Sequence, residues 1–443
     1  MPRPDSPPSA TESVAVRVAR VGADGDGIAA LADGTPLYIP FALPGETLSL
    51  RLGARRGEGR VATIEHIESA SPERVAPRCR HFTQCGGCAL QHWDDAALLG
   101  WKSAGLAAAL ARAGFPNAPL APAIACAPAT RRRMDLALAW TSSRPLVGLH
   151  AARSERVIDL AECPVLDPAL AALLAPLRAA LAGLVARPRA DIGARPRAGA
   201  AVANLLDGGI DLLLRLDRPL GLADRMHLVA FARATRLVRL SLGTAGGEAE
   251  PLAVLRPPRL GFGAVTVSPP PGAFLQATAS GEAAIRAAVL AGLPERLPRR
   301  ARLVELFAGC GTLSFALAAL APLTAYEGDE AAAAALREAA RAGGLGGRIS
   351  VVVRDLARRP PLVEELRDAA AVVLDPPHAG AAAAMTAIAV AGVKRVIHVS
   401  CNPATLARDA RRLAEAGYRV VRATPIDQFL WSARIESVVV FER

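Results

Sequence analysis

Two patterns of hydrophobic and polar positions divide the chain. Between residues 11 and 70, apolar and polar residues alternate in short runs, such as V-A-V-R-V-A-R-V and T-L-S-L-R-L, with glycine-rich turns between them. Alternation with a period of two is typical of half-buried strands, so four or five short strands predict a small β-barrel. From about residue 271, apolar runs ending in a polar residue alternate with helical segments, which predicts a Rossmann-like α/β domain with a doubly wound parallel sheet.

The residues between these two regions predict a third domain. They contain a cysteine-dense segment, a helix near 94–113, a second helix near 168–185 and mainly strands elsewhere. The first ten residues are polar and rich in proline, which is typical of a disordered terminus. We therefore expect four parts, which are listed here with their bounds: a disordered start (1–10), the barrel (11–70), a β-rich central domain (71–270) and the α/β domain (271–443).

Composition narrows the classes of protein to which the chain can belong. Hydrophobic residues make up 52% and charged residues 21%, enough apolar surface for a large core. The net charge of +11 favours a polyanionic partner, with nucleic acid ahead of an anionic membrane. No signal peptide is visible, and the uncharged stretch 306–326 contains two glycines and a proline. We expect a cytoplasmic monomer with reduced thiols, no membrane segment and no obligate protein partner.

Three successive strand ends of the α/β region predict an adenosine pocket. The first strand ends in E-L-F-A-G-C-G-T, the second in A-Y-E-G-D and the third at Asp355. Ligands of such sheets bind at the carboxyl ends of the strands, where glycines allow close backbone approach. Glu327 is placed to accept hydrogen bonds from ribose hydroxyls and Asp355 from an adenine amino group. S-adenosylmethionine fits better than NAD, because the residues that follow suit nucleophilic chemistry rather than hydride transfer.

The fourth and fifth strands of this region end in reactive side chains. V-V-L-D-P-P ends at Asp375, and V-S-C-N-P places the Cys401 thiol at the cofactor cleft. A thiolate that adds to carbon 6 of uracil makes carbon 5 nucleophilic toward a methyl sulfonium. A base must then remove the carbon 5 proton, and Glu436 on the last strand is the candidate. Asp375 is placed to hydrogen-bond the uracil edge.

These motifs resemble the RNA 5-methyluridine methyltransferases, which are class I S-adenosylmethionine-dependent enzymes. The matching segments are L-F-A-G-C-G-T, Y-E-G-D, L-D-P-P-H-A-G, V-S-C-N-P-A-T-L-A-R-D, I-E-S-V-V-V-F and F-L-Q-A-T. The resemblance adds Gln276, Phe307 and Thr312 to the cofactor site and includes Asp375 in it. Two positions where the family has asparagine are Thr278 and Thr312 here, and Arg434 stands where the family has a histidine before the base.

A cysteine cluster precedes the central strands. Its spacing is C-x5-C-x2-C, formed by Cys79, Cys85 and Cys88, and Cys163 in A-E-C-P follows far downstream. Four thiols can ligate zinc or iron–sulfur, and the uneven spacing favours a 4Fe–4S cluster. The resemblance agrees, since the iron–sulfur branch of the family has C-x5-C-G-G-C and a later C-P. The two cysteines without partner spacing, Cys126 and Cys310, are expected to pack in the core.

The remaining expectations concern RNA. Arg131, Arg132 and Arg133 begin a strand and are candidates for phosphate contacts, although a solvated basic run is nearly as good an explanation. The N-terminal barrel resembles the OB-like TRAM module of the same branch. These likenesses favour 23S ribosomal RNA as substrate, with transfer RNA still open.

Three other functions compete with this interpretation. A 5-methylcytosine methyltransferase needs a second cysteine near its nucleophile, and none lies close to Cys401 in the sequence. A radical enzyme needs the spacing C-x3-C-x2-C, whereas the spacing here is C-x5-C-x2-C. A non-catalytic RNA-binding protein would not need Asp375, Cys401 and Glu436 together.

Overall fold

The computed structural model describes residues 13–185, 198–244 and 246–443, so the predicted disordered start lies outside the described residues. The chain forms two compact units. The first contains the residues up to Lys102 together with Trp431–Ala433, and the second contains Ser103–Leu430 with Arg434–Arg443. The predicted division into three domains stays a prediction.

The first unit contains the N-terminal sheet. Its strands are β1 (Ser13–Arg17), β2 (Arg20–Val21), β3 (Gly27–Ala30), β4 (Pro36–Ile39), β5 (Thr47–Arg56) and β6 (Gly59–Ser69). The order in the sheet is β1-β5-β6-β4-β3-β2. Only Val18 and Ala19 separate β1 from β2, so one stretch of chain forms both edges of the sheet. The sheet packs around a small apolar core that includes Leu37, Ile39 and Leu48.

The second unit begins within helix α1 and continues through an antiparallel region. Helix α1 spans Asp95–Arg112. The elements that follow are β7 (Ile124–Ala125), β8 (Arg133–Trp140), β9 (Pro145–His150), β10 (Val157–Asp159), α2 (Pro168–Val185), β11 (Ala198–Leu206), β12 (Gly209–Leu216), α3 (Leu222–Ala234), β13 (Arg239–Thr244) and β14 (Ala249–Val254). A seven-stranded sheet of order β10-β9-β8-β11-β12-β13-β14 is formed by the described residues of this region. Both helices predicted here, α1 and α2, are present.

A short hairpin and the α/β region complete the second unit. The elements are β15 (Leu260–Phe262), β16 (Val265–Val267), α4 (Ala279–Gly292), β17 (Arg302–Leu306), α5 (Ser314–Leu320), β18 (Leu323–Glu327), α6 (Glu330–Ala342), β19 (Ile349–Val353), α7 (Val363–Leu366), β20 (Ala369–Leu374), α8 (Ala382–Ala391), β21 (Arg395–Ser400), α9 (Pro403–Glu415), β22 (Arg419–Asp427) and β23 (Glu436–Glu442).

The α/β strands form a sheet whose described part has the order β19-β18-β17-β20-β21-β23-β22-β7. Strands β17 to β21 pair in parallel, whereas β23 runs antiparallel to both of its neighbours. The amino end of β23 therefore lies at the same edge of the sheet as the carboxyl ends of the parallel strands. The predicted parallel sheet is present, and its parallel strands are mainly apolar because helices cover both faces. Strand β7 pairs with β22, so the predicted central domain contributes a strand to this sheet.

No helix in the part of the chain that the structure describes is long and apolar enough to cross a membrane. The uncharged stretch 306–326 instead contains a glycine turn, helix α5 and most of strand β18.

Candidate active site

The glycine turn after β17 lies at the carboxyl edge of the α/β sheet, where the sequence predicts the cofactor cleft. Phe307, Gly309 and Gly311 all have positive φ angles, of 64°, 56° and 100°. A β-carbon at Gly311 would lie 2.5 Å from the Phe315 ring, whereas none would meet an atom within 4 Å at Gly309. Gly311 is therefore required for packing and Gly309 for backbone conformation. A non-glycine residue in the left-handed region, such as Phe307, is characteristic of functional turns.

Glu327 and Asp355 lie on the same side of the cleft and bind backbone groups. The Glu327 carboxylate accepts hydrogen bonds from the amides of Gly309 and Asp329, each at 2.7 Å. The Asp355 carboxylate accepts from the amide of Ala357 at 3.0 Å. Each carboxylate oxygen has two lone pairs, so both groups keep capacity to accept from a ligand. Thr312 is half-buried in the same turn.

Cys401 and Glu436 are brought together by strand register. Ser400, the last residue of β21, pairs with Ser437 of the antiparallel strand β23. Cys401 follows Ser400 and Glu436 precedes Ser437, so the two occupy facing positions where the ladder ends. The proximity is also electrostatic, because burial first and then the Glu436 and Asp375 carboxylates raise the pKa of the Cys401 thiol to about 11. The charge of Arg434 opposes this shift.

The Cys401 backbone is fixed by the start of the next helix. The Asn402 side chain accepts a hydrogen bond from the Ala404 amide at 3.0 Å and caps α9, whose first residue is Pro403. Asparagine at the cap and proline at the first helical position are both favoured there. The half-buried thiol is consequently held at the strand–helix junction.

Asp375 and Glu436 are linked through two glutamines. The Gln276 amide nitrogen donates to Asp375 Oδ2 at 2.8 Å, and the Gln428 amide nitrogen donates to Gln276 Oε1 and Glu436 Oε2, both at 2.8 Å. Burial raises the pKa of Asp375 to about 7, and burial together with the Asp375 charge raises the pKa of Glu436 well above its usual range. Asp375 can therefore change protonation state near neutral pH, and the buried Glu436 carboxyl holds its proton more strongly than an exposed glutamate does.

Glu305 adds a third carboxyl group, in the middle of β17. It accepts a hydrogen bond from the Ser314 hydroxyl at 2.5 Å. Burial, followed by the charges of Asp375 and Glu327, raises its pKa to about 8. Sequence reasoning missed both Glu305 and Gln428. The signal for Glu305 was a single acid inside an apolar strand, and for Gln428 it was the polar pair D-Q at the end of T-P-I-D-Q.

Arg132 holds the Gln276 segment in place. Its guanidinium is buried, forms an ion pair with Glu282 and donates to the carbonyl oxygen of Gln276 at 3.1 Å. The expectation of a phosphate contact is therefore corrected for Arg132, because its guanidinium is committed to protein groups. Arg133 donates to the Ala273 carbonyl at 2.6 Å and pairs with Asp135. Arg131 donates to the carbonyl oxygen of Arg133 at 2.9 Å.

The cysteines separate into two groups. Cys126 and Cys310 are buried, as expected for packing residues, and Thr278 donates to the Cys126 sulfur at 3.4 Å. The four predicted metal ligands are half-buried cysteines, of which Cys79, Cys85 and Cys88 belong to the first unit and Cys163 to the second. Cys79 and Cys85 each accept a backbone N–H at 3.4 Å. Within the described residues, no group of three His, Cys, Asp or Glu side chains is arranged to hold a metal ion.

Comparison with known proteins gives a consistent result. A family profile described as tRNA (Uracil-5-)-methyltransferase matches residues 353–443. An uncharacterized RNA methyltransferase of Brucella suis is 40% identical over 428 residues, 97% of each chain. The 23S rRNA (uracil(1939)-C(5))-methyltransferase RlmD of Pseudomonas entomophila is 33% identical over 96% of this chain and 92% of its own.

One solved structure shares the fold over nearly the whole chain. It is the tRNA (uracil-54, C5)-methyltransferase of Pyrococcus abyssi in complex with S-adenosyl-L-homocysteine, with a TM-score of 0.72 and 20% identity. The match covers 96% of this chain and 99% of the other.

Proposed function

Because the chain belongs to the RNA uracil-5-methyltransferase family, we propose that it methylates carbon 5 of one uridine through a covalent bond between Cys401 and uracil carbon 6. The observation that carries this mechanism is the facing position of Cys401 and Glu436 at the end of the β21–β23 ladder. A nucleophile and a base on neighbouring strands can act on adjacent atoms of one pyrimidine ring.

In the proposed mechanism, Cys401 is the nucleophile, Glu436 is the base and Asp375 positions the uracil ring. The Cys401 thiol loses its proton to solvent, and the thiolate adds to carbon 6, moving the electrons of the carbon 5–carbon 6 double bond toward the ring carbonyl. Carbon 5 then takes a methyl group. Glu436 removes the carbon 5 proton, the double bond re-forms and the sulfur–carbon 6 bond breaks to return the thiolate. Asp375 hydrogen-bonds the uracil edge and holds the ring against the sulfur.

S-adenosylmethionine supplies the methyl group as an electrophilic sulfonium. The site fits this cation because three carboxyl groups lie near one another beside the glycine turn. They belong to Glu305, Glu327 and Asp375, and the charges of the last two raise the pKa of Glu305. Glu327 would bind the ribose hydroxyls and Asp355 the adenine amino group. Phe307, Thr312 and Gln276 line the remaining wall.

Release of tritium from RNA labelled at uracil carbon 5 tests the reaction. We expect release that depends on S-adenosylmethionine and equals the amount of 5-methyluridine formed. Cys401→Ala should abolish release and the covalent protein–RNA complex, since no other group can add to carbon 6. Full turnover by Cys401→Ala would disprove the covalent mechanism, and Cys126→Ala serves as a buried-thiol control.

We propose 23S ribosomal RNA as the substrate. The support is the 33% identity to RlmD, which extends over nearly the whole of both chains. The protein named for transfer RNA is only 20% identical and supports the fold. Mapping of 5-methyluridine in both RNA classes from cells lacking this protein distinguishes them. Loss of the modification from transfer RNA alone would assign the other substrate.

The cysteine segment leads to a second proposal, that Cys79, Cys85, Cys88 and Cys163 bind a 4Fe–4S cluster. It rests on the spacing of the four cysteines and on the backbone N–H groups that donate to the sulfurs of Cys79 and Cys85, since such donors stabilise ligating sulfur. Iron and sulfide content and visible absorbance of anaerobically purified protein test it. One bound zinc and no iron would contradict it.

The six-stranded N-terminal sheet supports the proposal that this region is a TRAM-like RNA-binding module. Arg55 is exposed next to the tight turn between β5 and β6, where a phosphate backbone can reach it. Arg55→Gln should weaken RNA binding and reduce its salt dependence, as measured by fluorescence anisotropy. An unchanged salt slope would exclude this contact.

A further inference from the structure

The side-chain amide of Gln428 lies between the proposed base and the cofactor-side glutamine. We propose that Gln428 is a positioning residue, which holds the Glu436 carboxylate in the orientation that removes the carbon 5 proton. This inference rests on the proposed function, because it assigns a role within that reaction. Gln428 itself contacts no reacting atom in the mechanism.

The hydrogen bonds determine the orientation of the Gln428 amide. Asp375 is an acceptor, so Gln276 must direct its amide nitrogen toward Asp375 and its oxygen toward Gln428. Gln428 consequently meets two acceptors, Gln276 Oε1 and Glu436 Oε2, and gives one amide hydrogen to each. A side-chain amide does not ionise near neutral pH. Gln428 can therefore hold Glu436 in place but cannot relay a proton between Glu436 and Asp375.

Packing confines the same side chain. A β-carbon at Gly281, in the first turn of α4, would lie 2.9 Å from Gln428 Oε1 and 3.0 Å from Gln428 Cβ. Glycine at this position therefore makes room for Gln428, and the helix backbone blocks movement of the amide. Gln428 directly follows β22, whose residue Ile426 pairs with Glu436. Sheet register thus holds the donor and acceptor backbones together.

This arrangement leaves one oxygen of the base free. Gln428 occupies Glu436 Oε2, whereas Oε1 is buried and has no hydrogen-bond partner among the described residues. A buried acceptor without a partner is unfavourable unless a ligand supplies one, and here the carbon 5 proton would do so. The Gln428 bond also lowers the pKa of Glu436 against the larger effect of burial, which favours the ionised form that a base requires.

Gln428→Met tests the assignment, because methionine keeps the length of the side chain and removes both donors. We expect kcat to fall about 10-fold with an unchanged KM for RNA, as is typical of lost orientation of a catalytic group. The acidic limb of the kcat profile should move to higher pH, since Glu436 then ionises less readily. Loss of packing alone would lower kcat without moving that limb.

RNA containing 5-fluorouridine separates formation of the methylated adduct from the later removal of the carbon 5 proton. Fluorine at carbon 5 cannot leave as a proton, so the reaction stops at the methylated adduct before the base acts. We expect Gln428→Met to form this adduct at the wild-type rate while its turnover on ordinary RNA falls. Adduct formation that slows by the same factor as turnover, or turnover equal to wild type, would overturn the proposal.

Two further measurements keep the outcome decisive. Tyr418→Phe removes a buried hydrogen bond of 2.7 Å to the Val393 carbonyl elsewhere in the second unit, and it should change neither rate. If Gln428→Met does not fold, Gln428→Glu keeps the shape and should give the same split between adduct and turnover. Absence of the adduct in the wild-type protein would instead disprove the covalent mechanism, whatever the variants do.

Discussion

The carboxyl groups on the two sides of the predicted cleft differ in their hydrogen-bond donors and in their burial. On the proposed cofactor side, Glu327 and Asp355 accept backbone N–H groups and remain partly exposed to solvent. On the side of the proposed nucleophile, Asp375 and Glu436 accept hydrogen bonds from side-chain amides, and burial raises the pKa of both. The difference suggests a division of labour, in which the first pair forms fixed binding contacts and the second pair controls protons.

Among these four carboxyl groups, loss of the proposed base, Glu436, should reduce activity the most. Glu436→Gln should lower turnover by about 10²–10⁴-fold, the usual contribution of a positioned general base. Because addition precedes proton removal, the covalent complex with ordinary RNA should accumulate and be visible on a denaturing gel. A variant that forms no complex would place Glu436 at an earlier step.

Loss of a binding contact should affect affinity and leave the chemistry intact. Glu327→Gln replaces an acceptor oxygen with a donor, so it should raise the dissociation constant of S-adenosylmethionine about 10-fold, in line with one lost charged hydrogen bond. Isothermal titration measures this change. At saturating cofactor, kcat should remain within about twofold of wild type, and a large loss of kcat would remove the distinction between the two sides.

The pKa of Asp375 predicts how stability depends on pH. Its ordinary value of 3.8 rises to about 7 in the folded protein, so the folded state holds an extra proton between these values and loses stability as the pH rises through them. Asp375→Asn cannot ionise and still offers an oxygen to Gln276. Its advantage over wild type in urea unfolding should grow by about 3 kcal/mol from pH 4 to pH 7. An advantage independent of pH would mean that Asp375 is not protonated.

The smallest effect is expected at Arg434. This residue is exposed, so solvent screens its charge, yet that charge lowers the pKa of Cys401. Arg434→Gln should slow adduct formation with 5-fluorouridine RNA about 2–3-fold below the pKa of the thiol, and the difference should shrink at high salt. Arg434→Lys should restore the rate, because the charge is what matters.

Much of the site could be predicted from strand ends. Cys401, Asp375, Glu327 and Asp355 each follow an apolar run, and the carboxyl ends of parallel strands share one edge of a sheet. Gln428 could not be found in this way, because it depends on β22 and on the antiparallel insertion of β23, neither of which local periodicity revealed. Such pairing is set by contacts between distant residues.

Arg132 illustrates the same limit. In the sequence it is the middle of a basic run, which suggests an exposed phosphate contact. Its partner Glu282 lies 150 residues away, and only the fold brings the two together. A local sequence pattern describes the charge of a residue but not the burial that decides what this charge does.

The register between β21 and β23 has a consequence for comparing relatives. Successive side chains of a strand point to opposite faces, so inserting or deleting one residue within β23 would move Glu436 away from Cys401. Length changes can be absorbed only between Gln428 and Glu436, outside the ladder. An alignment that places a gap inside Ser437–Phe441 would therefore imply either an error or an enzyme without this base, whereas a gap in the preceding loop carries no such meaning.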